Sequence, residues 1–342
     1  MPIWDDRILQ ADPGNVTVVR PVGERRITHV LHDIDGTHSL LRDWPPVMSL
    51  CLHWAMTGGL REDFDASASA AALVARVGRE PLPETDRFCV ESAGLSALTQ
   101  MEFAIRRALE LGRVTPGVAP VLDDAGRRTN AEIVRRIWDG VERFDDLPEA
   151  PAVRRFIDER TPRLFRLYET VLNGACRDRN TADARRDPER WQVAGSMAFM
   201  RHLHAIGCRN YFVTGAVIYR DGGMFEEVEA LGFEIGPGRM IEGLVGSSWD
   251  RKLPKEELMA ELCRAQGVNP RHVLVVGDGR SEIKAGAEMG AVTISRLPPD
   301  AARARELHIQ LGTHCILPDY THPALRRALR PDPAPAFTPF PP

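Results

Sequence analysis

Short apolar runs of strand length alternate with amphipathic helical stretches in two parts of this sequence, residues 27–37 and about 191–329. The runs are ITHVLHDID, RNYFVTG, RHVLVVGDG, AVTISR and THCILPD, and each ends in polar or glycine residues. Between them we predict helices, among them Met197–Ile206 and Lys255–Gln266, each followed directly by a glycine. This alternation predicts an α/β fold whose parallel sheet is covered by helices on both faces.

A stretch of helical character interrupts that pattern between about His38 and Arg190. The helices predicted there are Pro46–Thr57, Ala66–Val77, Ala97–Leu111, Ala131–Val141 and about Val153–Asp178. We therefore predict a helical cap domain, residues 41–190, inserted into a Rossmann-like core of residues 21–40 and 191–329. An insertion directly after a strand lies over the edge where open α/β sheets bind ligands, so it can act as a lid.

The two ends of the chain show little periodicity. The proline-rich tail, residues 331–342, reads PDPAPAFTPFPP and is predicted to be disordered. The first residues, up to about Pro21, have a weak pattern and lack the basic and apolar regions of a secretory signal. No internal stretch is apolar enough to span a membrane.

Composition narrows the classes of function. The 342 residues include 44 basic and 48 acidic side chains, so the formal charge of −4 gives no general electrostatic reason to bind nucleic acid. The six cysteines are widely spaced and form no zinc-binding pattern, which is typical of reduced thiols. We expect a cytoplasmic protein with no membrane partner.

The segment VLHDIDGT, Val30–Thr37, carries the most chemical information. Asp33 and Asp35 stand at the end of an apolar run, and side chains two apart point the same way while a strand continues. Two adjacent carboxylates repel each other unless a cation neutralises them, which predicts a hard divalent ion such as Mg²⁺. One carboxylate can then act as a nucleophile and the other as a general acid. The same letters also fit a plain strand followed by an Asx turn.

Two further strand ends carry polar groups. VLVVGDGRSEI places Asp278 and Glu282 where both can approach the same metal if a helix begins near Ser281, and it lacks the third glycine of a dinucleotide-binding fingerprint. NYFVTGAV ends in Thr214 and Gly215, a hydroxyl and backbone N–H groups that suit a phosphate oxygen. Each of these segments alone is also compatible with an ordinary strand and turn.

A basic stretch, DRKLPKEEL, supplies Lys252 and Lys255 before a helix. In this order and spacing, the acids, the threonine, a lysine and the second acidic pair resemble the four motifs of the haloacid dehalogenase (HAD) superfamily. The resemblance covers the core, about half of the chain, and the insertion resembles a helical cap of the C1 type.

The resemblance implies a role for each matching residue. Asp33 is then the nucleophile that becomes an aspartyl-phosphate, and Asp35 is the general acid and base. Thr214 and Gly215 bind the phosphoryl group, and Lys255 stabilises it, with Lys252 as the reserve candidate for the motif lysine. The residues assigned to the Mg²⁺ site are Asp33, Asp35, Asp278 and Glu282. His29, His32 and His38 depart from the apolar residues usual in this motif, and we interpret His32 as a packed side chain.

These roles predict a Mg²⁺-dependent phosphatase acting on a small phosphorylated metabolite, a sugar or cyclitol phosphate being the favoured class. The alternatives are a phosphomutase or phosphotransferase on sugar phosphates and a non-catalytic binding module of the same fold. Asp35 argues against a dehalogenase, which needs no acid at that position. Candidate substrate contacts are Arg42, Trp44 and Gln100. The sequence contains no indication of the oligomeric state.

Overall fold

The computed structural model describes residues 2–41, 43–115, 117–220, 222–249 and 251–332. Its strands are β1 (Ile3–Asp5), β2 (Thr17–Val18), β3 (Glu24–Arg26), β4 (His29–His32), β5 (Arg209–Val217), β6 (Gly243–Ser247), β7 (Val273–Gly277), β8 (Val292–Arg296), β9 (Cys315–Leu317) and β10 (Leu329–Arg330).

The helices fall mainly between β4 and β5. They are α1 (Arg7–Ala11), α2 (Trp44–Trp54), α3 (Ser67–Val74), α4 (Pro83–Glu91), α5 (Ala97–Glu110), α6 (Asp124–Trp138), α7 (Pro151–Leu172), α8 (Asp178–Arg186), α9 (Ser196–Ala205), α10 (Gly223–Ala230), α11 (Lys255–Gln266), α12 (Arg280–Met289), α13 (Ala302–Leu311) and α14 (Pro323–Ala328). Two π-helical turns, Ala55–Gly59 and Asn173–Arg177, follow α2 and α7.

The central sheet has seven strands in the order β2-β9-β8-β7-β4-β5-β6. Every neighbouring pair is parallel except β2 and β9, so the strands that carry the polar motifs all end at one edge. β4 lies between β5 and β7, with Leu31 opposite Tyr211 on one side and Val275 on the other. The predicted α/β fold, a parallel sheet with a helical insertion, is confirmed.

Most of the predicted helices occur close to their expected positions. Lys255–Gln266 is α11, and Ala97–Leu111 is α5 with one residue fewer. Several elements were not predicted, among them the helix α4 and the strand β6. The GLVGS sequence of β6 is rich in glycine and has no apolar alternation, so its strand conformation depends on pairing with β5.

The weakly patterned N-terminal residues are also structured. β1 pairs with β3 and β10 in a small antiparallel sheet, and β2 adds an edge strand to the central one. The side chain of Trp4 is fully buried and packs in the same apolar cluster as the core strands. Tertiary packing therefore determines the conformation of this segment. Its strands and helix are too short for their apolar residues to show a helical or strand periodicity. The predicted disordered tail lies, from residue 333 onward, outside the described residues.

Separate apolar clusters lie on the two sides of the cavity described below. One, formed by 37 buried residues, is drawn from positions 47–176 with Val217 from β5. The others surround the central sheet and include Val30, Phe212 and Val276. A helical insertion with its own buried cluster can hold its shape while it moves relative to the sheet.

The segments that lead into and out of the insertion lie side by side. The Leu40 N–H donates to the Trp191 carbonyl at 2.8 Å, and the Val193 N–H donates to the His38 carbonyl at 3.0 Å. All six cysteines are buried free thiols. Among the described residues, no helix combines the length and apolar character that crossing a membrane requires.

Candidate active site

The ends of β4 and β7 bring the first and last motifs together. The ladder between them continues one residue past β4, where the Asp33 N–H donates to the Val276 carbonyl at 2.9 Å. Asp33 and Asp278 therefore follow adjacent strands at the same edge of the sheet. The Thr37 hydroxyl lies 3.4 Å from a carboxylate oxygen of each.

Three carboxylates form a group that can hold a metal ion. One oxygen each of Asp33, Asp278 and Glu282 lies within 4.8 Å of the other two. Oxygen-only donors carrying negative charge suit a hard divalent cation such as Mg²⁺. The predicted ligand Asp35 is not part of this group, since its side chain lines the cavity beside Glu227 instead.

Glu282 reaches the group because the chain bends tightly at the start of α12. Its carboxylate accepts a hydrogen bond of 2.6 Å from the Gly279 N–H and folds back over Gly277. A Cβ atom on Gly277 would collide with Cγ of Glu282, so any larger residue there would displace that carboxylate. The two glycines of VVGDG therefore leave the space that the Glu282 side chain occupies.

Lys255, the first residue of α11, extends into the same group. Its Nζ atom lies 2.5 Å from Oδ1 of Asp33 and 3.1 Å from Oε2 of Glu282. Burial would lower the pKa of Lys255, but the two carboxylates raise it above its ordinary value. The lysine therefore remains a cation between two acids. Lys252 lies elsewhere, 2.8 Å from Oε2 of Glu102 in the cap helix α5.

Thr214 and Gly215 lie within β5 rather than at its end. The pairing of β5 with β6 shifts register between Val213 and Val217, so the intervening residues bulge out of the ladder. Thr214, Gly215 and Ala216 line the cavity, and the Ala216 N–H donates to the Thr214 hydroxyl at 3.2 Å. The predicted end of the strand was thus wrong, because the chain resumes pairing after the bulge.

Asp35 occupies a separate position beside the metal group. Its Oδ1 atom is buried and has no hydrogen-bond partner. Burial raises the pKa of Asp35 well above its ordinary value, and the negative charges of Glu227 and Asp33 raise it further. Its protonated form is therefore favoured, which suits a group that donates a proton to a leaving oxygen.

A cavity of about 350 Å³ lies between these strand ends and the helical insertion. Two of the predicted substrate contacts, Trp44 and Gln100, line it. The Gln100 amide also donates to the Ser92 hydroxyl at 2.8 Å, which holds it to the cap. The third, Arg42, lies outside the described residues.

The insertion contacts the core closely at the mouth of this cavity. A Cβ atom on Gly215 would lie 2.5 Å from the Leu95 carbonyl oxygen, so the cap backbone rests directly on β5. The hydroxyls of Ser96 and Ser247 lie 3.2 Å apart. The structure therefore shows the cap closed over the candidate site.

Sequence reasoning missed several polar residues of the cavity wall. They are Asp43, Tyr168, Glu169, Arg177, Asn180 and Glu227. All but Glu227 lie in the stretch predicted to be cap and belong to no short motif. Asp43 directly precedes α2, and the other four lie in helical sequence. For the residues near the end of α7 and in α8, the only feature of the sequence that could have indicated a site was the high density of charged residues. That density is equally typical of an exposed helix face.

The histidines near the first motif are buried and mutually bonded. Nδ1 of His32 lies 3.0 Å from Nε2 of His38, and Nδ1 of His38 lies 2.7 Å from the Ser196 hydroxyl. Burial lowers the pKa of His32 to about 3. Both rings are therefore neutral packing elements, in agreement with the interpretation of His32 as a packed side chain.

Comparisons with known proteins give matches at the level of structure. No model of a protein family matches the sequence, and no curated protein matches it. Solved structures that resemble the chain include a HAD family hydrolase from Deinococcus radiodurans with bound phosphate and sodium. It is 15% identical, with 90% of this chain and 100% of that chain covered and a TM-score of 0.41.

Two others have similar scores. A β-phosphoglucomutase from Clostridium difficile is 10% identical, covering 86% and 92% of the two chains with a TM-score of 0.44. A hydrolase from Pseudomonas syringae is 13% identical, covering 86% and 94% with a TM-score of 0.42. The solved structures that resemble the chain thus include HAD-family hydrolases, phosphatases and β-phosphoglucomutases, over most of its length and at low identity.

Proposed function

We propose that this protein is a Mg²⁺-dependent phosphatase that hydrolyses a small phosphomonoester, of the sugar or cyclitol phosphate class, through an aspartyl-phosphate intermediate. The observation that carries the proposal is the convergence of Asp33, Asp278 and Glu282 with Lys255 at one edge of the sheet. All of these except Glu282 line one cavity, and Asp35 lies beside them. A cluster of acids alone would be ordinary. A buried lysine between two of these acids, however, provides positive charge that can bind an anionic substrate.

The metal requirement rests on the donor set. Asp33, Asp278 and Glu282 would hold the ion through carboxylate oxygens, which suits Mg²⁺. Bound there, the ion supplies positive charge that offsets the repulsion between the nucleophile and the phosphoryl oxygens. Thr37 contacts two of these acids and helps to orient them.

The chain's own residues perform the transfer. An Asp33 oxygen attacks phosphorus and forms the aspartyl-phosphate bond while the bond from phosphorus to the leaving oxygen breaks. Lys255, the Thr214 hydroxyl and the Gly215 N–H bind the phosphoryl oxygens. Asp35 donates its proton to the leaving oxygen, then removes a proton from the water that hydrolyses the intermediate. The cap excludes bulk water during the first step.

The cavity volume supports a small substrate. About 350 Å³ is near the lower end of the range of about 300 to 1,000 Å³ found for small-molecule sites. A monosaccharide or cyclitol phosphate fits this space, while a polymer or a phosphoprotein segment does not fit under a closed cap.

The test is phosphate release from a panel of sugar, polyol, cyclitol and aryl phosphates, with Mg²⁺ and with EDTA. We expect turnover that EDTA abolishes, and none from Asp33→Asn. The matched control is Asp300→Asn, an exposed residue outside the cavity, which retains full activity. Near-wild-type turnover by purified Asp33→Asn would rule out the mechanism, and dependence on a sugar bisphosphate would identify a phosphomutase.

A further inference from the structure

The side of the cavity next to Asp35 contains a second set of charged groups. Arg177 ends the π-helical turn that follows α7, and Glu227 lies in α10 of the core. Both line the cavity, and the charges of both act on Asp35. They therefore lie where the alcohol portion of a phosphomonoester would be placed if Asp35 protonates its ester oxygen.

Most of the hydrogen-bonding capacity of this set is used within the protein. The two terminal nitrogens of Arg177 donate to the two oxygens of Glu169 at 2.8 and 3.0 Å. Glu169 also accepts a hydrogen bond of 2.7 Å from the Tyr219 hydroxyl. Oε1 of Glu227 accepts from the Ser39 hydroxyl at 3.3 Å.

One donor of Arg177 has no partner and lies near an oxygen of Glu227. Nε of Arg177 is buried and has no hydrogen-bond partner, and Oε2 of Glu227 lies 3.9 Å from it. That separation is too long for a direct hydrogen bond, and a buried unsatisfied donor costs about 1–3 kcal/mol. A hydroxyl oxygen about 2.8 Å from both atoms would accept from Nε and donate to Oε2, which gives the buried donor a partner and bridges the two side chains.

The charge of the cavity wall restricts what else can bind. Among the described lining residues, the cations are Lys255 and Arg177, whereas the acids are Asp33, Asp35, Asp43, Glu169, Glu227 and Asp278. Lys255 serves the phosphoryl site, and Arg177 is already paired with Glu169. A second phosphate or a carboxylate on the substrate would therefore be repelled by these carboxylates, whereas a neutral hydroxyl is not repelled and can donate a hydrogen bond to one of them.

We propose that Arg177 and Glu227 bind a hydroxyl group of the leaving alcohol, so that the enzyme selects sugar or polyol monophosphates over bisphosphates and phosphorylated carboxylic acids. This specificity pair rests on the proposed phosphatase function. The two residues that would select between these substrates lie on opposite sides of the cavity, Arg177 in the cap and Glu227 in the core.

The first test compares substrates with the wild-type protein and Mg²⁺. We expect kcat/KM for sorbitol 6-phosphate or glucose 6-phosphate to exceed that for 2-phosphoglycolate and fructose 1,6-bisphosphate by at least about tenfold, the size of one charge-assisted hydrogen bond. A preference for the bisphosphate or for the phosphorylated carboxylic acid would overturn the inference while leaving the phosphatase function intact.

The second test uses variants and a ratio. Glu227→Gln removes the charge from the acceptor, and Arg177→Lys keeps a cation beside Glu169 but has no donor at the Nε position. We expect each to lower the ratio of kcat/KM for sorbitol 6-phosphate to that for p-nitrophenyl phosphate by about tenfold. The matched control is Glu229→Gln, an exposed residue of the same helix, which leaves the ratio unchanged.

Equal losses on both substrates would overturn the inference, since they would show that the pair acts on folding or chemistry and not on the hydroxyl. If the wild-type protein releases phosphate from no substrate, the proposed function fails by itself. Calorimetric titration of the Mg²⁺-loaded protein with sorbitol 6-phosphate then tests the pair. Binding about tenfold weaker in Glu227→Gln supports the inference, and equal binding overturns it.

Discussion

Nζ of Lys255 lies 2.5 Å from Oδ1 of Asp33, although 222 positions separate the two residues in the chain. The lysine also contacts Glu282, so one buried cation is shared by two buried carboxylates. Removing one partner of a buried ion pair is strongly destabilising, because the other partner is left as an uncompensated buried charge. We therefore expect Lys255 to contribute both to the stability of the folded state and, in the proposed function, to the binding of an anionic substrate.

Replacing Lys255 by methionine tests both contributions. We expect activity to fall by about two to three powers of ten, because one preorganised charge at the reacting group is lost. Without Mg²⁺ the variant should unfold at a lower temperature than the wild type, because Asp33 and Glu282 then repel each other. Adding Mg²⁺ should raise the midpoint more in the variant than in the wild type, as thermal unfolding with and without EDTA will show.

The control for this measurement is Lys284→Met, an exposed lysine on α12. It should change neither activity nor the response to Mg²⁺. If Lys255→Met kept more than a tenth of the activity and showed the wild-type response to Mg²⁺, the lysine would have no role at the candidate site.

Gly215→Ala tests whether closure of the cap is required. The added methyl group would meet the Leu95 carbonyl oxygen at 2.5 Å, and a backbone atom cannot move aside as a side chain can. We expect the cap to be held away from the sheet, with at least about a tenfold loss of kcat/KM and faster proteolysis of the insertion.

Gly243→Ala in β6 is the matched variant, because its added methyl group would lie 3.6 Å from the Tyr211 ring, an ordinary contact. It should retain activity and resistance to proteolysis. Wild-type kinetics in Gly215→Ala would show that the closed arrangement is not needed for turnover.

The ion pair between Lys252 and Glu102 joins the core to α5 of the cap. Glu102 is buried, and although burial raises its pKa, the charges of Lys252, Arg106 and Arg154 lower it to about 2. A double-mutant cycle with Lys252→Met and Glu102→Gln should give a coupling energy of about 1–3 kcal/mol in urea unfolding. A coupling near zero would mean that Arg106 and Arg154 neutralise Glu102 without the lysine.

Acid should destabilise the protein in part through His38. Burial lowers its pKa well below the ordinary value of 6.5, so below that pH the unfolded state binds a proton before the folded state does. The stability from this group is complete above pH 6.5 and falls by about 1.4 kcal/mol for each unit below it.

Urea unfolding at pH 7.5 and 5.5 measures this effect. The loss of stability between the two pH values should be about 1.4 kcal/mol smaller in His38→Gln than in the wild type. His204→Gln, at an exposed position, should lose as much as the wild type. Equal losses in all three proteins would show that His38 is accessible to protons in the folded state.

The ends of β4 and β7 were predictable because they follow from local patterns. A buried parallel strand has an apolar sequence that can be recognised. Adjacent strands end at the same edge of the sheet, so the acids that follow them lie close together, as Asp33 and Asp278 do. The choice between Lys252 and Lys255 was open in the sequence. Only the direction in which α11 begins separates a lysine that reaches Asp33 from one that reaches the cap.

The rest of the site depends on contacts between distant segments. Arg177 and Glu227 approach each other because α8 packs against α10, and neither sequence shows a motif. The strand β6 and the bulge in β5 likewise exist through their pairing with each other. Such features carry no periodic signal of their own, so a pattern of single residues cannot predict them.

The backbone hydrogen bonds between Leu40 and Trp191 and between His38 and Val193 bear on how this architecture can change. Because the two junctions of the insertion touch, the intervening 150 or so positions leave and re-enter the sheet domain at one place, as a single surface loop would. A graft of another helical module at this point would leave the strand order and the acids beneath it intact. The selectivity of the cavity can thus change through exchange of the insertion alone, while the sheet and the acids at its edge stay the same.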